Sequence, residues 1–92
     1  MTGMERAVFE GAIRTWGVTA QVTMVFEEMS ELQKELCKQL RGGCVVDHIA
    51  EEIADVEIML DQMKILYNIQ DDVSEQRKKK VERLLRRLGM DK

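Results

Sequence analysis

Apolar residues recur at helical spacing through most of the chain, and the breaks between these runs predict four helices. We expect the first helix to begin at the capping box Thr2-Gly3-Met4-Glu5 and to end at Gly17. The second covers about Thr19–Leu40, and the sequence Arg41-Gly42-Gly43-Cys44 after it predicts a short loop. The first half of the chain is therefore expected to be helical.

Two further helices are expected after this loop. The third has Asp47 as its cap, continues to about Ile69 and carries an apolar stripe at alternating steps of four and three: Ile49, Ile53, Val56, Leu60, Met63 and Tyr67. The fourth follows a second capping box, Asp72-Val73-Ser74-Glu75, and stops at Gly89. The pattern predicts an all-α protein, a small antiparallel bundle of about four helices in one domain over residues 1–92.

Composition supports the prediction of helices and indicates the cellular compartment in which we expect the protein. The chain has 92 residues, no proline and only 4% aromatic residues, which favours helices over sheets. No apolar run approaches the ~20 residues of a membrane span, and the N-terminus lacks the apolar segment of a signal peptide. Cys37 and Cys44 are too few for a disulfide framework. We expect a cytoplasmic protein that does not associate with membranes.

Charge is distributed unevenly along the chain. The formal net charge is −3, but residues 77–92 contain eight basic and two acidic side chains, so the remainder is strongly acidic. Such a chain can bind cations in one place and phosphates in another. A stable nucleic-acid complex is not expected, because that usually requires a net basic face.

Two acidic clusters are the most informative feature of the sequence. At about 100° per residue, Glu28 and Glu31 of the second helix and Glu52 and Asp55 of the third lie along the flanks of the apolar stripes, with Glu35 as a further candidate. Helices joined by a short loop pack as antiparallel neighbours roughly 8–10 Å apart, which brings these carboxylates together. Because converging carboxylates repel one another, the pattern predicts a site for Mg²⁺ or Mn²⁺. The alternative is a solvated acidic face.

The spacing of these residues also resembles that of a known family. The pattern Glu27-Glu28-x-x-Glu31, then residues 32–51, then Glu52-x-x-Asp55 is similar to the EExxE…ExxD signature of the MazG-like all-α nucleoside triphosphate pyrophosphohydrolases. That superfamily includes dimeric dUTPases and dCTP pyrophosphatases. The resemblance covers the helix–loop–helix from about Val22 to Met63, in a chain of suitable size for a minimal member.

The resemblance implies a single MazG-like domain that hydrolyses a nucleoside triphosphate, possible substrates including deoxy and non-standard nucleotides, to the monophosphate and pyrophosphate. By motif position, the metal ligands for Mg²⁺, with Mn²⁺ as a substitute, would be Glu28, Glu31, Glu52 and Asp55. Glu27 would orient or deprotonate the attacking water, which completes the expected catalytic set. Bound Mg²⁺ would neutralise the triphosphate and lower the pKa of a water. The resemblance further implies a homodimer or homotetramer.

Two residues outside the clusters are candidates for substrate binding. Lys80 lies at the edge of the apolar stripe of the fourth helix. The resemblance also supports this residue, because the family often has a lysine in this region. The alternative is that Lys80 belongs to a solvated basic face. Trp16 could stack on a nucleobase, although a lone tryptophan in a small protein is commonly a core residue. His48 precedes Glu51 and Glu52 by one turn and is expected to be a surface residue.

Other classes of function remain open. A di-iron bundle of ferritin type uses Glu-x-x-His pairs, which both acidic clusters lack. A non-catalytic oligomerising helical module or a nucleotide-binding adaptor fits the same apolar patterning. The third helix carries a second apolar face that includes Ile58 and Ile65, which predicts association into a homo-oligomer unless the first or fourth helix covers that face.

Overall fold

The computed structural model describes all 92 residues, which form four helices and no strands. The helices are α1 (Gly3–Trp16), α2 (Val18–Leu40), α3 (Val46–Leu66) and α4 (Gln70–Arg87). The all-α class and the number of helices expected from the sequence are confirmed. None of the four helices is both long enough and apolar enough to cross a membrane.

The start and the end of α1 follow from its terminal residues. The Glu5 backbone N–H donates to Thr2 Oγ1 at 3.0 Å, and the Thr2 backbone N–H donates to Glu5 Oε1 at 2.7 Å, so the capping box is confirmed. The bond from the Thr2 backbone lowers the pKa of Glu5. At the other end Gly17 has φ 89°, a left-handed conformation that glycine adopts without strain, and α1 ends there as expected.

The caps expected at Asp47 and Asp72 are wrong. Helix α3 begins after Val45 and α4 begins after Ile69, and neither capping residue supplies a side-chain hydrogen bond. Both aspartates lie inside the first turn instead, where a negative charge interacts favourably with the helix dipole. The sequence signal for an acidic helix start was therefore correct, but the predicted caps were two and three residues late.

Two glycines allow the sharp reversal between α2 and α3. Gly42 has φ 94°, and a Cβ atom on Gly43 would lie 2.8 Å from the Lys38 carbonyl oxygen, which is too close for any other residue. The Gly43 N–H donates to that same carbonyl at 3.0 Å, and the Val45 N–H donates to Gln39 Oε1 at 3.0 Å. These bonds give hydrogen-bond partners to polar groups in the last turn of α2, and they hold the chain in its reversed direction.

The antiparallel register of α2 and α3 is marked by three polar pairs. Gln21 contacts Gln62, Glu28 contacts Asp55, and Glu35 contacts His48. Successive pairs are seven residues apart on both helices, which is two helical turns. Polar side chains therefore recur at regular intervals inside the contact between the two central helices.

The core of one chain is small and half polar. Only six residues are buried, of which three are apolar and three polar: Phe9, Val25, Met59, Gln21, Glu35 and Gln62. Helix α1 packs against α2 and α3, whereas α4 contacts α3 alone and buries no residue. The radius of gyration is 16.2 Å, against about 12 Å for a compact chain of this length. One chain therefore does not form a closed four-helix bundle.

The apolar stripe predicted for α3 is not its most buried face. Met59 and Gln62 are buried, whereas Ile53 and Leu60 are 42% and 38% exposed, and Tyr67 is also exposed. The buried face is rotated towards the carboxylates of the same helix. Apolar residues lie on more than one side of α3, so periodicity alone could not identify the side that packs within the chain.

Candidate metal centre

Three carboxylates from two helices meet near the middle of the α2–α3 contact. Glu28 comes from α2, and Glu52 and Asp55 come from one turn of α3. One oxygen atom of each lies within 4.8 Å of the corresponding atoms of the other two. The antiparallel register produces this convergence, because it places Glu28 opposite Asp55.

The electrostatics of the group favour a positive ion. Burial raises the pKa of Glu28, and the negative charges of Asp55 and Glu52 raise it further. Burial and the charge of Asp55 also raise the pKa of Glu52, with smaller contributions from Glu31, Glu35 and Glu51. The ionised forms are therefore disfavoured until a cation offsets their repulsion.

The donor set fits a hard divalent cation. All the converging atoms are carboxylate oxygens, the ligand type that Mg²⁺ and Mn²⁺ prefer. In addition, Glu52 Oε2 is buried and has no hydrogen-bond partner in the chain. A buried carboxylate oxygen without a partner is costly, and coordination to a metal ion would satisfy it.

Two other predicted site residues stand beside this trio without joining it. Glu31 is exposed and is not one of the three converging groups, although its charge contributes to the raised pKa of Glu28 and Glu52. Glu27 is exposed and lines the shallow cavity that also includes Glu28 and Glu31. The structure thus brings Glu28, Glu52 and Asp55 together and leaves Glu27 and Glu31 at the rim.

Glu35 is the most buried carboxylate of the chain. It is 7% exposed, Lys38 Nζ donates to its Oε1 at 3.2 Å, and His48 Nδ1 lies 3.6 Å from its Oε2, which has no hydrogen-bond partner. Its charge also acts on Glu52. His48 is exposed, as expected from the sequence, and its neighbour is Glu35 rather than the carboxylate trio.

Trp16 lies at the end of α1 and is 66% exposed, so it is not a core residue. It lines an open cavity of about 630 Å³ between the helices. The other lining residues are Ala20, Gln21, Thr23, Met24, Glu27, Met59 and Gln62. Glu27 lines this cavity and also the shallow one beside Glu28, so the two are neighbours.

The structure does not bring Lys80 to the carboxylates. Lys80 lies on α4, which contacts only α3, and it lines two cavities made entirely of residues between Ile69 and Arg86. One of these, of about 590 Å³, combines the lysine with apolar side chains that include Val81 and Leu84. Within one chain, the basic helix and the acidic centre are separate features.

Gln21 and Gln62 were missed by reasoning from the sequence. Glutamine has neither charge nor nucleophilic chemistry, so nothing in a search for acids, bases and ligands draws attention to it. Their positions carried a signal nevertheless, because each lies seven residues from Glu28 or Asp55, on the same side of its helix.

Comparison with known protein families, curated proteins and solved structures gives no match to this chain. The functional argument therefore depends on the geometry of the site itself. That geometry offers a carboxylate trio able to hold a hard cation and, beside it, an open cavity lined by an indole ring and two amides.

Proposed function

We propose that this protein is a Mg²⁺-dependent nucleoside triphosphate pyrophosphohydrolase, which converts a nucleoside triphosphate and water to the monophosphate and pyrophosphate. The observation that carries the proposal is the convergence of Glu28, Glu52 and Asp55 from two antiparallel helices. Substrate phosphates typically complete the coordination of a Mg²⁺ ion held by a few carboxylates. The sequence resemblance to the MazG-like family supports the same reaction.

In this proposal the residues divide into three tasks. Glu28, Glu52 and Asp55 hold Mg²⁺, with Glu31 as a further ligand from the rim, and Mn²⁺ can substitute. When bound, the ion offsets the charge of the triphosphate and lowers the pKa of a water molecule. Glu27, which is exposed next to Glu28, orients the attacking water and accepts its proton. Trp16 stacks on the nucleobase in the neighbouring cavity.

The protein is further proposed to act as a homodimer or homotetramer, and the exposure of Ile53 and Leu60 leads us to propose their side of α3 as the interface instead of the Ile58 and Ile65 face expected from the sequence. Exposed apolar side chains recur every seven residues along α3 and its C-cap, which is the spacing of a helix–helix interface: Val46, Ile53, Leu60 and Tyr67. On α2, exposed apolar side chains lie at Met29, Leu36 and Leu40. A small chain with three buried apolar residues gains stability by covering such side chains with a second copy.

These two apolar sets lie on one side of the α2–α3 pair. At about 100° per residue, Met29 and Leu36 lie about 80–100° round α2 from Glu28, and Ile53 and Leu60 lie about 80–100° round α3 from Glu52, in the same sense. Because the helices are antiparallel, equal rotations in the same sense lead to the same side of the pair. Asp55 is rotated in the opposite sense. The proposed interface therefore leaves the metal centre accessible.

Association also gives Lys80 a route to the substrate. Helix α4 buries no residue and exposes Val81, Leu84 and Leu88. In the proposed oligomer these side chains pack on another copy, and Lys80 meets the phosphates of a nucleotide held by that copy. The separation of Lys80 from the carboxylates within one chain is the reason for assigning it to a neighbour's site.

The experiment that tests the function is pyrophosphate release from a panel of ribonucleoside and deoxyribonucleoside triphosphates, with Mg²⁺ and with a chelator. We expect release that requires Mg²⁺ and is lost in Glu28→Gln. Glu57→Gln serves as the control, because Glu57 is exposed on α3 and does not belong to the acidic centre.

A second candidate function is a non-catalytic oligomerising module or nucleotide-binding adaptor, favoured by the exposed apolar faces of α2 and α3. The same panel separates the two candidates. An oligomer that binds nucleotides but releases no pyrophosphate from any of them with Mg²⁺ or Mn²⁺ contradicts the enzyme and supports the module.

A further inference from the structure

The cavity beside Trp16 contains a pair of buried amides. Gln21 and Gln62 are each 4% exposed, and Gln21 Nε2 donates a hydrogen bond to Gln62 Oε1 across the α2–α3 contact. Both residues line the cavity of about 630 Å³ that also includes Trp16. An exposed aromatic ring and two buried amides in one cavity are the elements of a site for a flat, polar ring system.

Each of these amides has an unused polar atom. Gln21 Oε1 accepts no hydrogen bond in the chain, and Gln62 Nε2 donates none. Neither atom is among the buried side-chain atoms without a partner, which belong to Glu35, Glu52 and Gln70. Both atoms therefore keep some contact with solvent, and the residues that carry this acceptor and this donor both line the cavity.

The amide pair stands at a useful distance from the metal centre. Gln21 precedes Glu28 by seven residues and Gln62 follows Asp55 by seven, which corresponds to about 10 Å along the helices. This length is comparable with the span of a nucleotide from the edge of its base to its phosphates. Glu27 lines both the amide cavity and the cavity beside Glu28, so no other element separates the two.

We propose that Gln21 and Gln62 read the hydrogen-bonding edge of a nucleobase that stacks on Trp16. This inference rests on the proposed function and deepens it, since it assigns the residues that select the base. The ligand class is a heterocycle with a donor and an acceptor side by side, as on the Watson–Crick edges of the common bases.

The pair accepts both amino and keto bases. A glutamine amide can rotate by half a turn, which exchanges its donor and its acceptor. If both amides rotate together, Gln62 donates to Gln21, and the free acceptor and donor exchange places. The order of the free donor and the free acceptor matches an amino base in one arrangement of the amides and a keto base in the other. The site therefore selects for the presence of such an edge rather than for one particular base.

A buried amide pair can also act only to fix the register of two helices. That role requires neither an open cavity nor free polar atoms, and it makes no distinction between ligands. Binding measurements with nucleosides separate the two roles. Nucleosides lack phosphates, so their binding does not depend on the metal centre or on catalysis.

Trp16 is the only tryptophan, so its fluorescence reports directly on the cavity. We expect adenosine and uridine to quench it with similar affinities. Benzimidazole riboside, which stacks but lacks the donor–acceptor edge, is expected to bind about tenfold more weakly, as the loss of two hydrogen bonds implies. Equal affinities for all three ligands, or no quenching by any of them, overturn the proposal without requiring a variant.

The matched variant is Gln21→Met/Gln62→Met, which conserves side-chain volume and removes the polar atoms. We expect it to keep its helicity and to bind adenosine and uridine as weakly as benzimidazole riboside. Retention of the wild-type preference contradicts the proposal. If the preference is observed but no triphosphate is hydrolysed, the enzymatic proposal fails and base reading stands. If hydrolysis occurs without any preference in nucleoside binding, the proposal of base reading fails and the enzymatic proposal stands.

Discussion

Glu28 on α2 and Asp55 on α3 face each other across the contact between the two central helices, with one carboxylate oxygen of each within 4.8 Å of the other. Burial and the charge of Asp55 raise the pKa of Glu28, so Glu28 holds its proton to a higher pH than a free glutamate does. A divalent cation between them would displace this proton. Protons and a metal ion would therefore compete for this pair of carboxylates.

Neutralising one of these carboxylates is expected to abolish hydrolysis. Glu28→Gln or Asp55→Asn removes a ligand charge without opening a cavity, and even outer-shell partners of a metal cost 10–100-fold when lost, so we expect a fall of more than about a hundredfold. Pyrophosphate release and circular dichroism measure activity and helicity. Near-normal turnover in both variants, with Glu57→Gln as the control, would exclude this pair from the reaction.

Magnesium is expected to stabilise the fold, because only the folded chain brings Glu28, Glu52 and Asp55 together. At one hundred times its dissociation constant, a ligand adds about 2.7 kcal/mol to the free energy of unfolding. Each kcal/mol raises the melting temperature of a small domain by about 4–8 °C. A thermal melt with and without Mg²⁺ measures the rise, which should disappear in Glu52→Gln. An unchanged melting temperature at saturating Mg²⁺ would indicate a solvated acidic face.

Without metal, the acidic centre should make the protein less stable as the pH rises. The pKa of Glu28 and that of Glu52 are raised from 4.5, so the folded chain binds more protons than the unfolded chain above that pH. The free energy of unfolding therefore falls as the pH increases from 4.5 through the raised values. Denaturant titrations across this range in chelator should show a steeper fall for the wild type than for Glu28→Gln/Glu52→Gln. Parallel curves would contradict the assigned shifts.

The position of the interface can be tested with two isoleucines of equal exposure. Ile53 and Ile58 are both 42% exposed on α3, but only Ile53 lies on the face with Leu60 and Tyr67. We expect Ile53→Glu to dissociate the oligomer and to reduce activity, and Ile58→Glu to retain both. Light scattering gives the mass. A fully active 10.7 kDa monomer would remove the need for association, and dissociation by Ile58→Glu alone would move the interface to the other face.

The role of Lys80 can be compared with that of its neighbours on α4. Lys80 lines the cavity that contains Val81 and Leu84, whereas Lys78 and Arg86 line only polar surface depressions. Lys80→Ala is therefore expected to raise the KM for the triphosphate more than Lys78→Ala or Arg86→Ala. Small and equal effects at all three positions would leave the run as a solvated basic face.

The sequence was sufficient for several features that depend on short-range patterns, although the caps expected at Asp47 and Asp72 were misplaced. The capping box at Thr2, the glycine stops and the convergence of Glu28 with Glu52 and Asp55 follow from short-range patterns and from a tight loop. The buried side of α3 was not predictable in the same way, because Ile53 and Met59 satisfy helical periodicity equally well and differ only in what packs against them. The amide pair was missed because glutamine has neither charge nor nucleophilic chemistry. Its polar atoms become informative only when the fold buries them beside a cavity.

The loop between α2 and α3 limits which insertions and deletions the protein can tolerate. Surface loops usually tolerate insertions, since closing a slightly longer loop costs little entropy. An insertion of one residue beside Gly42 and Gly43 would be more disruptive if it lengthened the start of α3. Each added residue rotates the rest of a helix by about 100° and shifts it by about 1.5 Å. Asp55 would then turn away from Glu28, and Gln62 from Gln21. Lineages of this protein should therefore vary in length at the chain ends and after Leu66, and keep this turn at constant length.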